Sequence, residues 1–134
     1  MNPFPLKIVT PDGLQFDGQA EELIVRTIDG DMAILARHIN CVAPLGMGMA
    51  TLVVDGERRY AACIGGMVSV INGSVKLVPT TFEWADKIDI ERAQDSERRA
   101  ELILKDKDST STEIALAQAR LKRALVRKGV ASRK

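Results

Sequence analysis

Residues 49–78, MATLVVDGERRYAACIGGMVSVINGSVKLV, decide the fold of the first part of the chain. In this stretch, segments rich in apolar residues flank Asp55-Gly56 and again flank Asn72-Gly73. Asp-Gly and Asn-Gly favour the type I′ turn, because both central residues need positive φ and these residue types adopt it at low cost. The stretch therefore predicts two β-hairpins, Met49–Val54 with Arg58–Ile64 and Met67–Ile71 with Val75–Val78.

The sequence before these hairpins continues the pattern of short strands and turns. Leu6–Thr10 alternates apolar and polar side chains and ends at the turn signal Pro11-Asp12-Gly13. Gly65-Gly66 predicts a bulge or a close backbone approach, since no helix pattern follows it to form a phosphate-binding loop. Several short strands separated by turns are typical of a β-sandwich or barrel. The other predicted strands are Leu14–Asp17, Glu22–Ile28 and Met32–Leu35.

The periodicity changes to that of a helix at Ile88. Residues 88–105 contain no Gly or Pro and are rich in strong helix formers. Asp86 or Asp89 is the candidate N-cap of this helix. After a polar linker, a second helix is predicted over residues 112–128. The short linker favours an antiparallel hairpin of the two helices.

The second helix has recognisable ends. Thr110 and Glu113 have the spacing of a capping box, in which each side chain accepts a hydrogen bond from the other residue's backbone N–H. Gly129 is the predicted end of the helix.

The apolar stripes of both helices are thin. Burying a leucine-sized side chain contributes about 1.5–3 kcal/mol, and alanine contributes much less. The hairpin should therefore dock only marginally, which suits either a moving part or an ordinary permanent appendage. The stripes are Ala93, Ala100, Ile103 and Leu104 on the first helix and Ile114, Ala117, Leu121, Ala124 and Leu125 on the second.

Composition and charge exclude several classes of protein. The chain is 46% hydrophobic with a net charge of +1, so a packed core is expected and a general attraction to nucleic acid is not. The seven ionisable side chains after Glu113, from Arg120 to Lys134, are all basic. This basic end lacks the aromatic stacking partners of a nucleic-acid site, so we expect it to meet an acidic partner or water.

The cysteines and the hydropathy pattern predict a cytosolic protein. Cys41 and Cys63 lack metal-ligand spacing and are expected to be reduced, buried thiols. No apolar run approaches the roughly 20 residues that span a bilayer. The N-terminal residues do not resemble a secretion signal.

The sequence offers no catalytic constellation. His38 is the single histidine, and it has neither a neighbouring nucleophile nor metal-ligand companions. Paired carboxylates in a convincing site and a nucleophile elbow are also missing from the sequence. We therefore expect a protein that is not an enzyme, with His38 either bonding locally in a loop or contacting a partner.

Five strings in order resemble the epsilon subunit of F-type ATP synthases, in its bacterial form with a helical hairpin. Each string alone is weakly specific, but their order coincides with the predicted layout of strands followed by two helices. The strings are KIVTPDG at 7–13, DGDMAIL at 29–35, HI at 38–39 with VAPL at 42–45, GGMV at 65–68, and IDIERA at 88–93.

The resemblance implies a fold and a role. It implies an antiparallel β-sandwich of about ten strands over residues 1–86, followed by a regulatory two-helix hairpin over residues 87–134. In this family the sandwich binds the gamma subunit and the ring of c subunits, and it couples rotation of the ring to ATP synthesis. The hairpin either folds down on the sandwich or extends along gamma toward the catalytic alpha and beta subunits, and in many bacteria the extended form inhibits ATP hydrolysis. The implied location is the cytoplasmic face of the bacterial plasma membrane.

The resemblance also implies candidate site residues. No cofactor is required, but several bacterial members bind ATP on the folded hairpin. Arginines suit this role because guanidinium groups form bidentate hydrogen bonds with phosphate oxygens. The alternative is that Asp89 is only a helix cap and Arg92 only a solvated residue. The implied nucleotide-binding residues are Glu83, Ile88, Asp89, Arg92, Ala93, Arg99 and Arg123.

The second helix departs from the pattern of the ATP-binding relatives, which carry further arginines there. Lys122 and Val126 stand at the matching positions, and Arg123 and Arg127 follow one residue later. One residue corresponds to a rotation of about 100° around a helix.

A free-standing ATP-binding sensor built from the helix pair is the alternative function.

Two further sets of contacts follow from the resemblance. Asp29, Asp31 and His38 are the predicted rotor contacts, although the two aspartates are also ordinary turn residues. The predicted inhibitory contacts with the catalytic subunits are Arg120, Lys122, Arg123 and Arg127.

Overall fold

The computed structural model describes residues 2–133, which form eight strands followed by two helices. The predicted order of strands and then a helical hairpin is confirmed. The strands are β1 Phe4–Thr10, β2 Gly13–Ala20, β3 Glu22–Thr27, β4 Gly30–Ile34, β5 Cys41–Pro44, β6 Met47–Val54, β7 Glu57–Ile71 and β8 Ser74–Trp84. A 3₁₀ turn, Ala85–Lys87, leads to the helices α1 Ile90–Lys105 and α2 Ser111–Ala131.

Both predicted hairpin turns are present. Asp55 and Gly56 have φ values of 52° and 78°, and Asn72 and Gly73 have φ values of 50° and 83°. Positive φ at both central residues is the signature of the type I′ turn. These turns set the antiparallel registers of β6 with β7 and of β7 with β8.

β7 is one continuous strand where the sequence predicted two. Its first part, up to Ile64, pairs with β6, and its last part, from Met67, pairs with β5. Gly65 has a φ of 69° and no partner in the pairing of β7 with β8, but the register is the same before and after it, so no residue is inserted and the predicted bulge is absent. The alternative prediction, a close backbone approach, is confirmed, because a Cβ added at Gly66 would clash with the Val78 carbonyl oxygen. The strand therefore continues through the glycines and changes its partner from β6 to β5.

The change of partner along β7 also explains the strand count. β8 pairs with both parts of β7, and its first part additionally pairs in parallel with β1. If β7 and β8 are each counted as two segments, the sandwich has the ten segments implied by the resemblance. One layer then contains β2, β1, β5 and the adjoining parts of β7 and β8. The other contains β3, β4, β6 and the remaining parts.

The core lies between these layers and consists of aliphatic side chains with Phe4 and Phe82. Cys63 is buried in it, whereas Cys41 is half-buried, so the prediction of two buried thiols is right for Cys63 alone. Desolvation raises the pKa of the Cys63 thiol to about 12. The largest fully buried side chains are Leu6, Ile8, Leu23, Ile34, Leu52 and Leu77.

The helix starts follow the predicted caps. Asp89, and not Asp86, is the N-cap of α1, and its Oδ1 accepts a hydrogen bond of 3.1 Å from the backbone N–H of Arg92. The capping box of α2 is complete, with Thr110 Oγ1 accepting from the Glu113 N–H at 3.1 Å and Glu113 Oε1 accepting from the Thr110 N–H at 3.2 Å. Both starts rest on contacts between neighbouring residues.

The prediction that Gly129 ends the second helix is wrong. α2 continues to Ala131, and Val130 and Ala131 are buried against the sandwich with exposed fractions of 1% and 5%. Glycine inside a helix costs about 1 kcal/mol relative to alanine. Burial of the two following side chains offsets this cost.

Alanines bring the two helices together. Ala93 and Ala100 of α1 and Ala117 and Ala124 of α2 are all buried. Each pair is separated by seven residues, or two helical turns, so each helix presents a strip of small side chains. Leu125, which the sequence placed in the stripe, is instead 49% exposed.

Candidate functional site

The hairpin docks on the outer face of β6 and β7 through the last turns of α2. This second apolar cluster is much smaller than the sandwich core and separate from it. We call it the docking cluster, and its members are Ala62, Ala85, Ile88, Val130 and Ala131, with Met49, Tyr60 and Val126 at its edge.

Two ion pairs accompany the docking cluster. Arg127 Nε of α2 lies 2.6 Å from Glu83 Oε1 of β8, and both side chains are about one third exposed. Lys128 Nζ lies 2.6 Å from Glu97 Oε2 and joins the two helices. The first pair links the hairpin to the sandwich, and the second stabilises the hairpin itself.

A cavity of about 520 Å³ opens beside the Glu83–Arg127 pair, between β8, the start of α1 and α2. Four of the residues predicted to bind a nucleotide line it: Glu83, Asp89, Arg92 and Ala93. Arg127 also lines it, although the sequence assigned that residue to inhibitory contacts.

The cavity wall carries three basic and three acidic side chains. Arg127 is engaged by Glu83, and one carboxylate oxygen of Asp89 caps α1. Among the described residues, Arg92 and Lys87 have no ion-pair partner, so they are the cations available to a bound phosphate. Asp12 is the third acidic side chain of the wall. Sequence reasoning missed Lys87, which the end of the 3₁₀ turn places there.

The other three predicted nucleotide residues lie outside this cavity. Ile88 is 5% exposed and belongs to the docking cluster. Arg99 is 77% exposed and pairs with Asp95 at 2.7 Å. Arg123 does not line the cavity and is half-buried on α2.

The predicted inhibitory contacts differ in their surroundings. Arg120 and Lys122 are exposed on α2. Arg127 is committed to Glu83 while the hairpin is docked. Only undocking would free it for a partner.

The predicted rotor contacts do not form one group. Asp29 lies in the turn between β3 and β4, where the N–H of Ile28 bonds the carbonyl of Pro44 at 3.2 Å. His38 lies near the other end of β5, with its Nδ1 4.0 Å from Cys41 Sγ. The length of β5, about 13 Å, separates the two places.

Local hydrogen bonds fix the side chains of Asp31 and His38. Asp31 Oδ1 accepts a hydrogen bond of 2.7 Å from Arg26 Nε, and both side chains are exposed. The Nδ1 of His38 lies 2.8 Å from the carbonyl oxygen of Ile39, which matches the local loop bonding considered for it.

The outer face of β5, β7 and β8 carries an apolar surface that sequence reasoning missed. In the registers, Pro44 lies opposite Met67 and Met67 lies opposite Val78, so these side chains share one face. Val42 and Ile71 extend the same face. Their exposed fractions are 62% for Val42, 43% for Met67, 57% for Ile71 and 41% for Val78. The sequence contains a signal for this surface, because each of the two alternating sets of side chains along β7 includes apolar residues.

Trp84 stands at the junction of sandwich and hairpin and is half-buried. The Arg59 guanidinium lies 3.7 Å above its ring, and the Phe82 ring meets it edge-on with centroids 4.8 Å apart. Trp84 therefore packs at the margin of the sandwich core, as an anchor that stays accessible on one side.

Residues 2–133 contain no group of three or more His, Cys, Asp or Glu side chains placed to hold a metal ion. Neither of their helices combines the length and apolar character needed to cross a bilayer.

Comparison with known families covers almost the whole chain. The model of the ATP synthase delta/epsilon chain β-sandwich domain matches residues 3–85. The model of the long α-helix domain of the same family matches residues 86–131. The boundary between the two falls in the 3₁₀ turn.

Similar curated proteins carry the name ATP synthase epsilon chain. The chain is 40% identical to that of Ruminococcus albus and 38% identical to that of Bacillus cytotoxicus, with full coverage of both partners in each case. Among solved structures, a chain of the Euglena gracilis mitochondrial ATP synthase superposes with a TM-score of 0.84 at 18% identity, covering 98% of this chain and 82% of that one. A chain of the Tetrahymena thermophila central stalk and c-ring structure gives 0.67 at 11% identity, with 95% of each chain covered. At these identities the structural matches establish the fold.

Proposed function

The chain belongs to the ATP synthase delta/epsilon chain family, as an epsilon subunit of the central stalk without catalytic activity of its own, and from this premise we propose that its hairpin regulates ATP hydrolysis by undocking from the sandwich. The observation that carries the proposal is the small size of the docking cluster. Apart from its alanines it contains only Met49, Tyr60, Ile88, Val126 and Val130. Of the two ion pairs beside it, only Glu83 with Arg127 joins the hairpin to the sandwich.

Undocking would expose little apolar surface. The helices bury their alanines against each other, so the hairpin keeps its own interface when it leaves the sandwich. The free α2 would then present Arg120, Lys122, Arg123 and the released Arg127 to acidic segments of the alpha and beta subunits. Charge complementarity of this kind mainly sets orientation, association rate and salt dependence.

The sandwich supplies the permanent attachment. An apolar surface that includes Val42, Met67, Ile71 and Val78 needs a partner, since large exposed apolar patches mark interaction sites. We assign the gamma subunit to this face, which the hairpin leaves free because it docks on the opposite layer. Such a face also favours the stalk subunit over a free-standing ATP sensor, which would need no partner there.

The turn at Asp29 and Asp31 is the proposed contact with the c ring. His38, at the other end of β5, would then contact a different surface, such as gamma. Through these contacts the protein would work at the cytoplasmic face of the bacterial plasma membrane and couple rotation of the ring to the catalytic head.

ATP is a proposed regulatory ligand of the cavity beside Glu83. Arg92 and Lys87 would contact the phosphates, and Ala93 would contact the base. Because Arg127 lines this cavity and also holds the hairpin down, a bound nucleotide would stabilise the docked state. Calorimetric titration tests this point, and no heat up to millimolar ATP would refute it.

The deciding experiment measures ATP hydrolysis by the catalytic complex lacking epsilon, after addition of the full chain or of residues 1–87. The sandwich has its own core, so the shorter chain keeps its gamma-binding face. We expect both to bind and only the full chain to inhibit. Binding without inhibition by the full chain would refute the regulatory role, and failure of both to bind would refute the attachment through gamma.

A further inference from the structure

A second, smaller cavity lies where β8 ends and α2 terminates, and the proposed function does not use it. It measures about 160 Å³, and its wall includes Arg58, Arg59, Tyr60, Trp84 and Arg133. It shares no lining residue with the cavity beside Glu83.

The ending of β8 creates this cavity. The last pair of the β7–β8 ladder is Ala61 with Trp84, while β7 begins four residues earlier at Glu57. Residues 57–60 of β7 therefore extend beyond their β8 neighbours, and the chain turns away into the 3₁₀ turn. The gap is bordered by the sandwich on one side and by Arg133, just past α2, on the other.

Two of the three arginines are oriented by aromatic rings. The Arg59 guanidinium stacks 3.7 Å above the Trp84 ring, and the Arg133 guanidinium lies 5.6 Å from the centre of the Tyr60 ring. Stacking uses the flat face of a guanidinium and leaves its N–H donors at the edge free. These two groups are therefore preorganised to donate hydrogen bonds.

The positive charge in this cavity is not neutralised. Within residues 2–133, Arg58, Arg59 and Arg133 have no carboxylate at ion-pair distance. Among the described residues that line the wall, Asp86 is the single acidic one, against three arginines.

We propose that this cavity binds a small oxyanion, with inorganic phosphate as the ligand. The cavity has about one third of the volume of the one beside Glu83, which suits a compact ligand with few heavy atoms, such as phosphate. Arg58, Arg59 and Arg133 line it, and guanidinium groups form charge-assisted hydrogen bonds with phosphate oxygens, the strongest class of hydrogen bond to that group.

The hairpin supplies one wall of this site, so phosphate binding is linked to docking. Arg133 reaches the cavity only while Val130 and Ala131 lie in the docking cluster. A ligand that binds only the docked form shifts the equilibrium toward it. Phosphate would thereby hold the hairpin down, independently of whether ATP binds the other cavity.

The test uses the full chain and the emission of Trp84, the only tryptophan. Phosphate is titrated at constant ionic strength maintained with chloride, and the ³¹P line width of phosphate is measured in parallel. We expect a saturable change in both signals. Arg133→Gln should weaken binding by about tenfold or more, since it removes a charged donor. Arg98→Gln, an exposed arginine of α1, is the matched control and should bind as the parent chain does.

Two more variants sharpen the result. Asp86→Asn should tighten binding by about threefold or more, because it removes the one repelling carboxylate of the wall. Arg59→Gln should weaken binding in the ³¹P measurement, which does not depend on its stack with Trp84. Equal responses to chloride and phosphate, or equal affinities of R133Q and R98Q, would overturn the proposal. Neither outcome would affect the stalk assignment, which the hydrolysis assay tests separately.

Discussion

Val130 offers the sharpest test of hairpin docking. Its side chain is 1% exposed, and it lies in the docking cluster with Ala62, Ala85 and Ile88. Val130→Ala shortens this side chain without touching either ion pair of the junction. We expect the docked state to lose stability while the sandwich and the helix–helix interface stay intact.

The magnitude follows from burial. The change removes two methyl groups, each comparable to a buried methylene at about 0.8 kcal/mol, and the small cavity left behind adds to the loss. A total near 2 kcal/mol corresponds to a roughly 30-fold shift of the docking equilibrium. Alanine is a better helix former than valine, so local fraying of α2 would decrease and could not imitate this effect.

Amide hydrogen exchange in the last turn of α2, residues 128–131, measures the shift. This turn loses its packing when the hairpin leaves the sandwich, whereas the helix–helix interface persists, so we expect its protection to fall by up to about 30-fold in Val130→Ala, while protection in β1 and β8 is unchanged. Leu125→Ala is the matched control, because Leu125 is 49% exposed on the same helix and lies outside the docking cluster. Equal protection in the two variants would refute the docking of Val130 against the sandwich.

Three further changes test the junction and the core. Glu83→Gln removes the charge that pairs with Arg127, so we expect docking to weaken by a few-fold and to lose most of its salt dependence. If hydrogen exchange shows the same salt dependence in the variant, the Glu83–Arg127 ion pair does not contribute to docking. Gly66→Ala should destabilise the fold by about 3 kcal/mol or more in urea denaturation, because the new Cβ would clash with the Val78 carbonyl oxygen and the backbone φ is 97°. Gly73→Ala is the control and should cost about 1 kcal/mol, because a Cβ there would lie in open space. Burial raises the pKa of the Cys63 thiol to about 12, so the thiol ionises in the unfolded chain at lower pH than in the folded protein. The free energy of unfolding should therefore fall by up to about 1.4 kcal/mol per pH unit above pH 9. Cys63→Ala should abolish this slope, and a slope that persists in the variant would assign it to other groups.

The local elements of the fold were predictable from the sequence. The turns at Asp55-Gly56 and Asn72-Gly73, the Asp89 cap and the capping box at Thr110 each depend on residues within a few positions of one another. Their geometry follows from the φ values that Gly, Asn and Asp tolerate and from side-chain oxygens that reach nearby N–H groups. The structure confirms each of them.

The errors have a common cause in long-range contacts. The sequence divided β7 at Gly65-Gly66, but β5 and β8 pair with the residues beyond the glycines and keep the strand continuous. It ended α2 at Gly129 because burial of Val130 against Ala62, far away in the chain, is invisible to a local pattern.

The candidate site divides in the same way. Four of the residues that the resemblance assigned to nucleotide binding, Glu83, Asp89, Arg92 and Ala93, line one cavity, since three of them share the start of α1 and Glu83 lies near the end of the preceding strand. The resemblance could not place the basic residues of α2, because one residue of helical phase turns a side chain by about 100°. The rotation of α2 about its own axis is fixed by its contacts with the sandwich.

The sequence by itself determined the order of elements, their turns and caps, and the family, because these depend on local stereochemistry and on strings of neighbouring residues. The tertiary structure alone decided that Arg127 faces Glu83, 44 positions away, and that Arg59 and Arg133 border one cavity. It also decided which apolar face of β7 stays exposed after the core and the hairpin are packed. Pairing between distant residues depends on how whole surfaces fit together, and no local pattern in the chain records that fit.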